Sequence, residues 1–338
     1  MNKNQILGLI IATVLFIITG VISVVTNTWS EEKAQAARTS LIEELEALDK
    51  LWGGAVDLPL EEYIAVIKVN GSIVGLQESV GLLSGDIAYN HSFTLDYINE
   101  ITADYNNQGI LLVVDSPGGS VYTSDELYCA LMDYKEATGR PIYCYFGSYA
   151  CSGGYYVAMA ADEIYANRNT WTGSIGVIAT MYDLTGLYNK LGVKEINVTS
   201  GANKAMGSTG ESLSEEQYSI MQGLIDEAYK QFVGIVAEGR KMPIDEVKRI
   251  ADGRILSATQ AQALDLIEGI ARYEEYKYLI SNDFQEPITF YEPEYGGSLL
   301  SSFFMKLQAL MPKSETELFT DLAKSLEGGV WYYADQLK

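Results

Sequence analysis

The sequence predicts an α/β protein, on three observations. Apolar runs of strand length alternate with segments of helical period from Tyr63 to about Ile270. One run, Gly109–Asp115, is continuously apolar, as expected for a strand buried on both faces. A Gly-rich turn, Ser116–Ser120, follows it, and α/β sheets place ligands at the C-terminal ends of their strands. The chain has 338 residues, 48% of them hydrophobic, enough for one large or two ordinary domains. Its net charge of -22 argues against nucleic acid as a partner.

Taken in order, Ile6–Val25 holds 20 residues without a charge. A helix of that length spans about 30 Å, enough to cross a bilayer. A cleavable signal peptide usually has an apolar region of only about 7–15 residues. The one A-x-A nearby, Ala34-Gln35-Ala36, lies well past the run. Residues 1–29 therefore read as an uncleaved anchor. Lys3 before the span puts the N-terminus in the cytoplasm and the rest outside. Residues 30–58 read as a helical stalk. Residues 59–275 form the body, and 276–338 a C-terminal extension, partly helical.

Within the body, strands are expected at Tyr63–Val69, Gly109–Asp115, Pro141–Phe146, Glu163–Ala166 and Val193–Val198. Helices are expected at Asp96–Tyr105, Ser124–Ala137, Asp183–Leu191 and Thr259–Leu266, and another starts at Pro243. Ser214-Glu215-Glu216-Gln217 is a capping box. It opens a long helix whose stripe of Met221, Leu224, Ile225, Ala228, Phe232, Val233 and Val236 reads as core.

The candidate chemistry centres on Gly147–Ala161, a strand-to-helix turn with Ser152 at its bend. A hydroxyl there sits at a helix N-terminus, which favours developing negative charge. On this stretch alone, a capping serine is the favoured reading of Ser152. Two glycines behind it let a substrate backbone come close. The backbone N–H of Gly119 could bind an oxyanion. His91 is the sole histidine and lies in a polar stretch that reads as a loop, so a serine hydrolase here would take a lysine as its base. Lys204 sits among small and apolar residues, where desolvation would suit it to that role; a surface loop lysine is the other reading. Cys129, Cys144 and Cys151 fit no zinc spacing and read as buried thiols; a Cys151 nucleophile is the alternative to Ser152.

Four motifs in order then resemble a known family. They are Ser116-Pro117-Gly118-Gly119-Ser120-Val121, Ser152-Gly153-Gly154-Tyr155-Tyr156, Thr172-Gly173-Ser174-Ile175-Gly176-Val177 and Lys204. The chain resembles signal peptide peptidase A in its short, single-catalytic-domain form, over roughly Ile64–Ile270. The 52-residue separation of Ser152 and Lys204 agrees with that form. The resemblance implies stacked β-β-α units, the fold shared with the Clp protease subunit and crotonase. It implies Ser152 as nucleophile, Lys204 as general base, Ser174 orienting that lysine, and Gly119 as oxyanion donor. Gly153, next after the nucleophile, could offer a second N–H. It also implies a ring-shaped homo-oligomer with sites shared between subunits, peptide substrates such as signal peptides, an extracytoplasmic catalytic domain on a bacterial cell membrane, and no cofactor or metal. Two positions depart from the family. Leu112–Asp115 lacks a frequent arginine, and Asp265 stands where a glycine is usual. A crotonase-type acyl-CoA enzyme and a non-catalytic peptide-binding scaffold are the rival expectations.

Overall fold

A computed structural model describes residues 58–75, 89–293 and the backbone of 330–333. The chain opens with β1 (Tyr63–Asn70), then α1 (His91–Ala103), β2 (Asn107–Ser116), β3 (Gly118–Ser120) and α2 (Val121–Thr138). Next come β4 (Ile142–Cys151), α3 (Gly153–Ala158), β5 (Glu163–Ala166), β6 (Trp171–Gly173), β7 (Ile178–Ala179) and α4 (Thr185–Leu191). After them follow α5 (Glu215–Gly239), α6 (Ile244–Ile250), β8 (Ile255–Ser257), α7 (Ala258–Ala263), β9 (Gly269–Ile270), α8 (Tyr273–Ser281), β10 (Thr289–Tyr291) and β11 (Val330–Tyr333). The fold is mixed α/β.

The main sheet runs β10-β1-β2-β4-β5-β9 and is parallel throughout. β4 is long enough to serve two neighbours. Tyr143–Phe146 pair with β5, and Tyr149–Cys151 pair with β6. β8 closes that branch antiparallel to β6. Alternation along the strands divides the core in two. Ala65, Ile67, Leu112, Val114, Cys144 and Phe146 face the helices of one layer. Ile64, Val66, Leu111, Tyr143 and Tyr145 face α8 on the other, around the buried ring of Tyr276.

Local signals fix most helix ends. Ser120 caps α2, accepting from Thr123 N at 3.2 Å, and Gly139 ends it with φ 67°. The Ser214–Gln217 capping box closes in both directions at the start of α5. α1 begins at His91, earlier than the expected Asp96, because Asn90 accepts from Phe93 N at 3.0 Å. Asp265 adopts φ 56°, the left-handed backbone that a glycine takes without strain. That accounts for the glycine usual at this position, and Asp, with its short polar side chain, tolerates the conformation better than most residues.

Two expectations fail together. Val193–Val198 forms no strand, and Val198 is 97% exposed. A strand needs a partner for its backbone, and the described residues supply none here. The apolar stripe of α5 is core only in its second half. Phe232, Val233 and Val236 are buried, whereas Leu224 is 49% exposed. The anchor, Ile6–Val25, and the stalk fall outside the described residues. Among those described, no helix is long and apolar enough to cross a membrane.

Candidate active site

β4 ends at Cys151 and α3 starts at Gly153, so Ser152 is the whole turn between them. It bends the chain with φ 52° and ψ -116°, a conformation that costs a serine about 1–3 kcal/mol. Backbone bonds hold it there. Ser152 N donates to Gly173 O at 2.8 Å, and Tyr156 N donates to Ser152 O at 2.9 Å. Gly154 behind it is needed for space. A Cβ at Gly154 would sit 3.0 Å from Ser116 O, so α3 lies directly on the end of β2. Ser152 is 1% exposed, and its Oγ makes no hydrogen bond among the described residues. A buried hydroxyl without a partner is unfavourable, and a site that binds something else there explains it.

Ser174 repeats the device one strand away. Cys151 pairs with Gly173, so Ser152 and Ser174 are the next residues on neighbouring parallel strands. Ser174 also has a positive φ, 49°, and is buried, with its N–H donating to Arg254 O at 2.8 Å. Gly119 reaches the same end of the sheet through β2, whose Ser116 pairs with Ala150. On one edge of β3, Gly118 O accepts from Ile73 N and Ser120 N donates to Ile73 O, each at 2.9 Å. Alternation then turns the N–H of Gly119 to the opposite edge. Gly153 opens α3, and the first helical N–H has no acceptor within its own helix.

That opposite edge of β3 is occupied by the chain's own C-terminal strand. β11 runs antiparallel to β3, with Tyr332 opposite Gly119, and antiparallel to β7 on its other side. A backbone slot for an extended peptide thus lies between β3 and β7. Sequence reading missed this strand, although Val330-Trp331-Tyr332-Tyr333 after Gly328-Gly329 carries a strand signal. Gly119 has to be glycine for the slot to exist. A Cβ there would fall 1.9 Å from Ile73 O, which is backbone. Gly119→Ala is expected to push residues 71–75 off β3 and move the donor edge. The peptide hydrolysis that the resemblance implies should fall at least about tenfold, with a lowered melting temperature, as for other overpacked cores. Unchanged rates would show that this edge has no part in the reaction.

A family model described as Peptidase family S49 matches residues 134–281, the span holding Ser152, Ser174 and Lys204. The protein named "Putative signal peptide peptidase SppA" from Enterococcus faecium is 35% identical over 283 residues, covering 81% of this chain and 79% of that one. The chain belongs to peptidase family S49. Protease 4 of Salmonella typhi is 31% identical over 212 residues, 63% of this chain and 33% of that protein. The chloroplastic serine protease SPPA of Arabidopsis thaliana is 28% identical over 210 residues, 62% and 30%. This S49 peptidase therefore spans about a third of those two relatives.

The other candidates lie apart from Ser152 or are already engaged. Lys204 is exposed in a turn whose N–H donates to Gly201 O at 3.1 Å. It is not hydrogen-bonded to Ser152 Oγ. The Cys151 thiol is buried, and burial pushes its pKa up to about 12, so it is not a thiolate at neutral pH. Its Sγ points to Trp171 O at 3.4 Å. His91 has both ring nitrogens engaged, Nδ1 with Tyr89 Oη at 2.6 Å and Nε2 with Glu126 Oε2 at 2.7 Å. Among the described residues, no cluster of three or more His, Cys, Asp and Glu is placed to hold a metal ion.

Proposed function

We propose that this S49 peptidase cleaves peptide bonds with Ser152 as nucleophile and Lys204, supplied by a second copy of the chain, as base. The observation that carries the reading is Ser152 itself. It is a strained, buried serine with an unpartnered Oγ, beside a backbone slot that accepts an extended strand against Gly119. In the reaction, neutral Lys204 takes the Oγ proton as Oγ attacks the scissile carbonyl. The N–H groups of Gly119 and Gly153 receive the oxyanion, and Ser174 orients the ammonium. Lys204 returns the proton to the leaving amine as the C–N bond breaks. Water, deprotonated by the same lysine, then releases the acyl group.

Two further points support the second copy. The segment that carries Lys204 leaves Leu187, Leu191, Ile196 and Val198 exposed, and Leu224 of α5 is exposed as well. Exposed apolar side chains concentrated on one segment favour an interface there. A heterologous contact that closes makes a ring, in keeping with a fold of the Clp protease and crotonase type. The name of the Enterococcus relative points to signal peptides as substrates. The apolar run at Ile6–Val25 suits a single-pass anchor that holds the catalytic domain at the outer face of a bacterial membrane.

The test is hydrolysis of apolar quenched-fluorescent peptides by the full chain in detergent, with mass-spectrometric mapping of a serine-reactive phosphonate. Cleavage together with a Ser152 adduct is expected. A folded, assembled protein that shows neither would overturn the reading. A second outcome concerns the tail. Removing residues 330–338 vacates the slot, so KM for peptides should fall severalfold with kcat little changed, because a tethered competitor is lost. An unchanged KM would place the substrate elsewhere.

A further inference from the structure

Three proposed catalytic parts of the chain lead into three different helices, two of them at one site and the third serving the site of a neighbouring copy. Gly119 is followed by α2, Ser152 by α3, and the Lys204 segment by α5. One side-chain cluster joins all three. The hydroxyl of Tyr156 on α3 donates to Asp125 Oδ1 on α2 at 2.5 Å. Gln231 Nε2 on α5 donates to Tyr156 Oη at 2.8 Å and to Asp125 Oδ1 at 3.0 Å. The Tyr156 ring is fully buried, edge-on to Tyr128 of α2 with centroids 5.6 Å apart and tilted against Phe232 of α5 at 5.1 Å. The same residue holds the nucleophile's backbone, since its N–H donates to Ser152 O.

We infer that Tyr156, Asp125 and Gln231 form a positioning triangle that keeps Ser152 in register with the oxyanion donors, and so governs turnover rather than peptide binding. The inference rests on the reading of Ser152 as nucleophile. Its physical basis is the strain at Ser152. A residue held at φ 52° keeps that geometry only if its surroundings over-determine it. α3 is a six-residue helix, too short to be stable by itself. Its orientation is therefore set by what it touches. A hydrogen bond to a carboxylate is strong and directional, which apolar packing is not. The triangle acts on the site from its far side: none of its three side chains is bonded to Ser152 Oγ.

The test uses the full chain in detergent and measures kcat, KM and melting temperature for Tyr156→Phe, Asp125→Ala, Asp125→Asn and Gln231→Ala. Tyr156→Phe and Asp125→Ala are expected to lower kcat on the order of tenfold or more, with KM within about twofold, since small misplacements of reacting groups are costly. The double variant Tyr156→Phe/Asp125→Ala should be no worse than either single one. Asp125→Asn keeps an acceptor oxygen and should recover most of the rate. Wild-type kcat in folded Tyr156→Phe would overturn the inference, as would equal losses in Asp125→Asn and Asp125→Ala. If Tyr156→Phe does not fold, Gln231→Ala decides, because Gln231 lies on the exposed side of α5. Wild-type turnover by Ser152→Ala refutes the nucleophile, and the triangle's role with it. A silent Ser152→Ala beside an unaffected Gln231→Ala refutes the triangle alone.

Discussion

Ser152→Ala is expected to reduce peptide hydrolysis to background while the chain still folds and assembles. The hydroxyl is 1% exposed and has no hydrogen-bond partner among the described residues, so its removal orphans none of them. The backbone bonds to Gly173 and from Tyr156 do not involve the side chain. The melting temperature should therefore hold or rise slightly, since a buried unsatisfied group has been deleted. The rate should fall on the order of a thousandfold or more, as it does when a covalent nucleophile is taken from a serine peptidase. Cys151 cannot take over. Its thiol has a pKa pushed up to about 12 by burial and faces Trp171 O. Residual hydrolysis within about tenfold of wild type would mean that Ser152 only terminates the strand. The experiment thus separates the two meanings of this serine that the sequence leaves open.

The parts of the fold legible in the sequence are those set by local chemistry. Gly109–Asp115 reads as a buried strand because no polar side chain interrupts it, and the Ser214 box specifies a helix start within four residues. Ser152 and Ser174 could be picked out by their flanking glycines, yet their shared positive φ and adjacent registers belong to the strand pairing of β4 with β6. What failed depended on distant partners. Val193–Val198 has the composition of a strand and no edge to join among the described residues. The first half of the α5 stripe is only partly covered by the described residues, with Leu224 49% exposed. Asp125 and Gln231 carry no sequence signal, because their meaning arises only where three helices meet. Tyr332 lies 213 residues from the Gly119 it opposes, so no local pattern links them.

Lys204→Ala should be as silent as a catalytic-base deletion makes it, with kcat reduced roughly 100- to 10,000-fold and KM little changed. The side chain is exposed and Lys204 lies in a surface turn, so folding should be unaffected. The sharper prediction concerns mixing. Within one chain, Ser152 Oγ is bonded to no base, while Lys204 stands on a segment with much of its apolar surface uncovered. If neighbouring copies complete each other, a protein lacking Ser152 still offers Lys204, and a protein lacking Lys204 still offers Ser152. Random exchange of the two silent variants in equal amounts would rebuild about one quarter of the sites in a ring with heterologous contacts. Activity should appear on that scale, with the time course of subunit exchange. Exchanged oligomers that remain silent would require base and nucleophile to act from the same copy. The Lys204 turn would then have to fold onto its own Ser152, a rearrangement detectable as burial of Lys204 on substrate binding. Recovery without measurable exchange would mean instead that one of the variants is not silent in its own oligomer, and each variant assayed alone shows which.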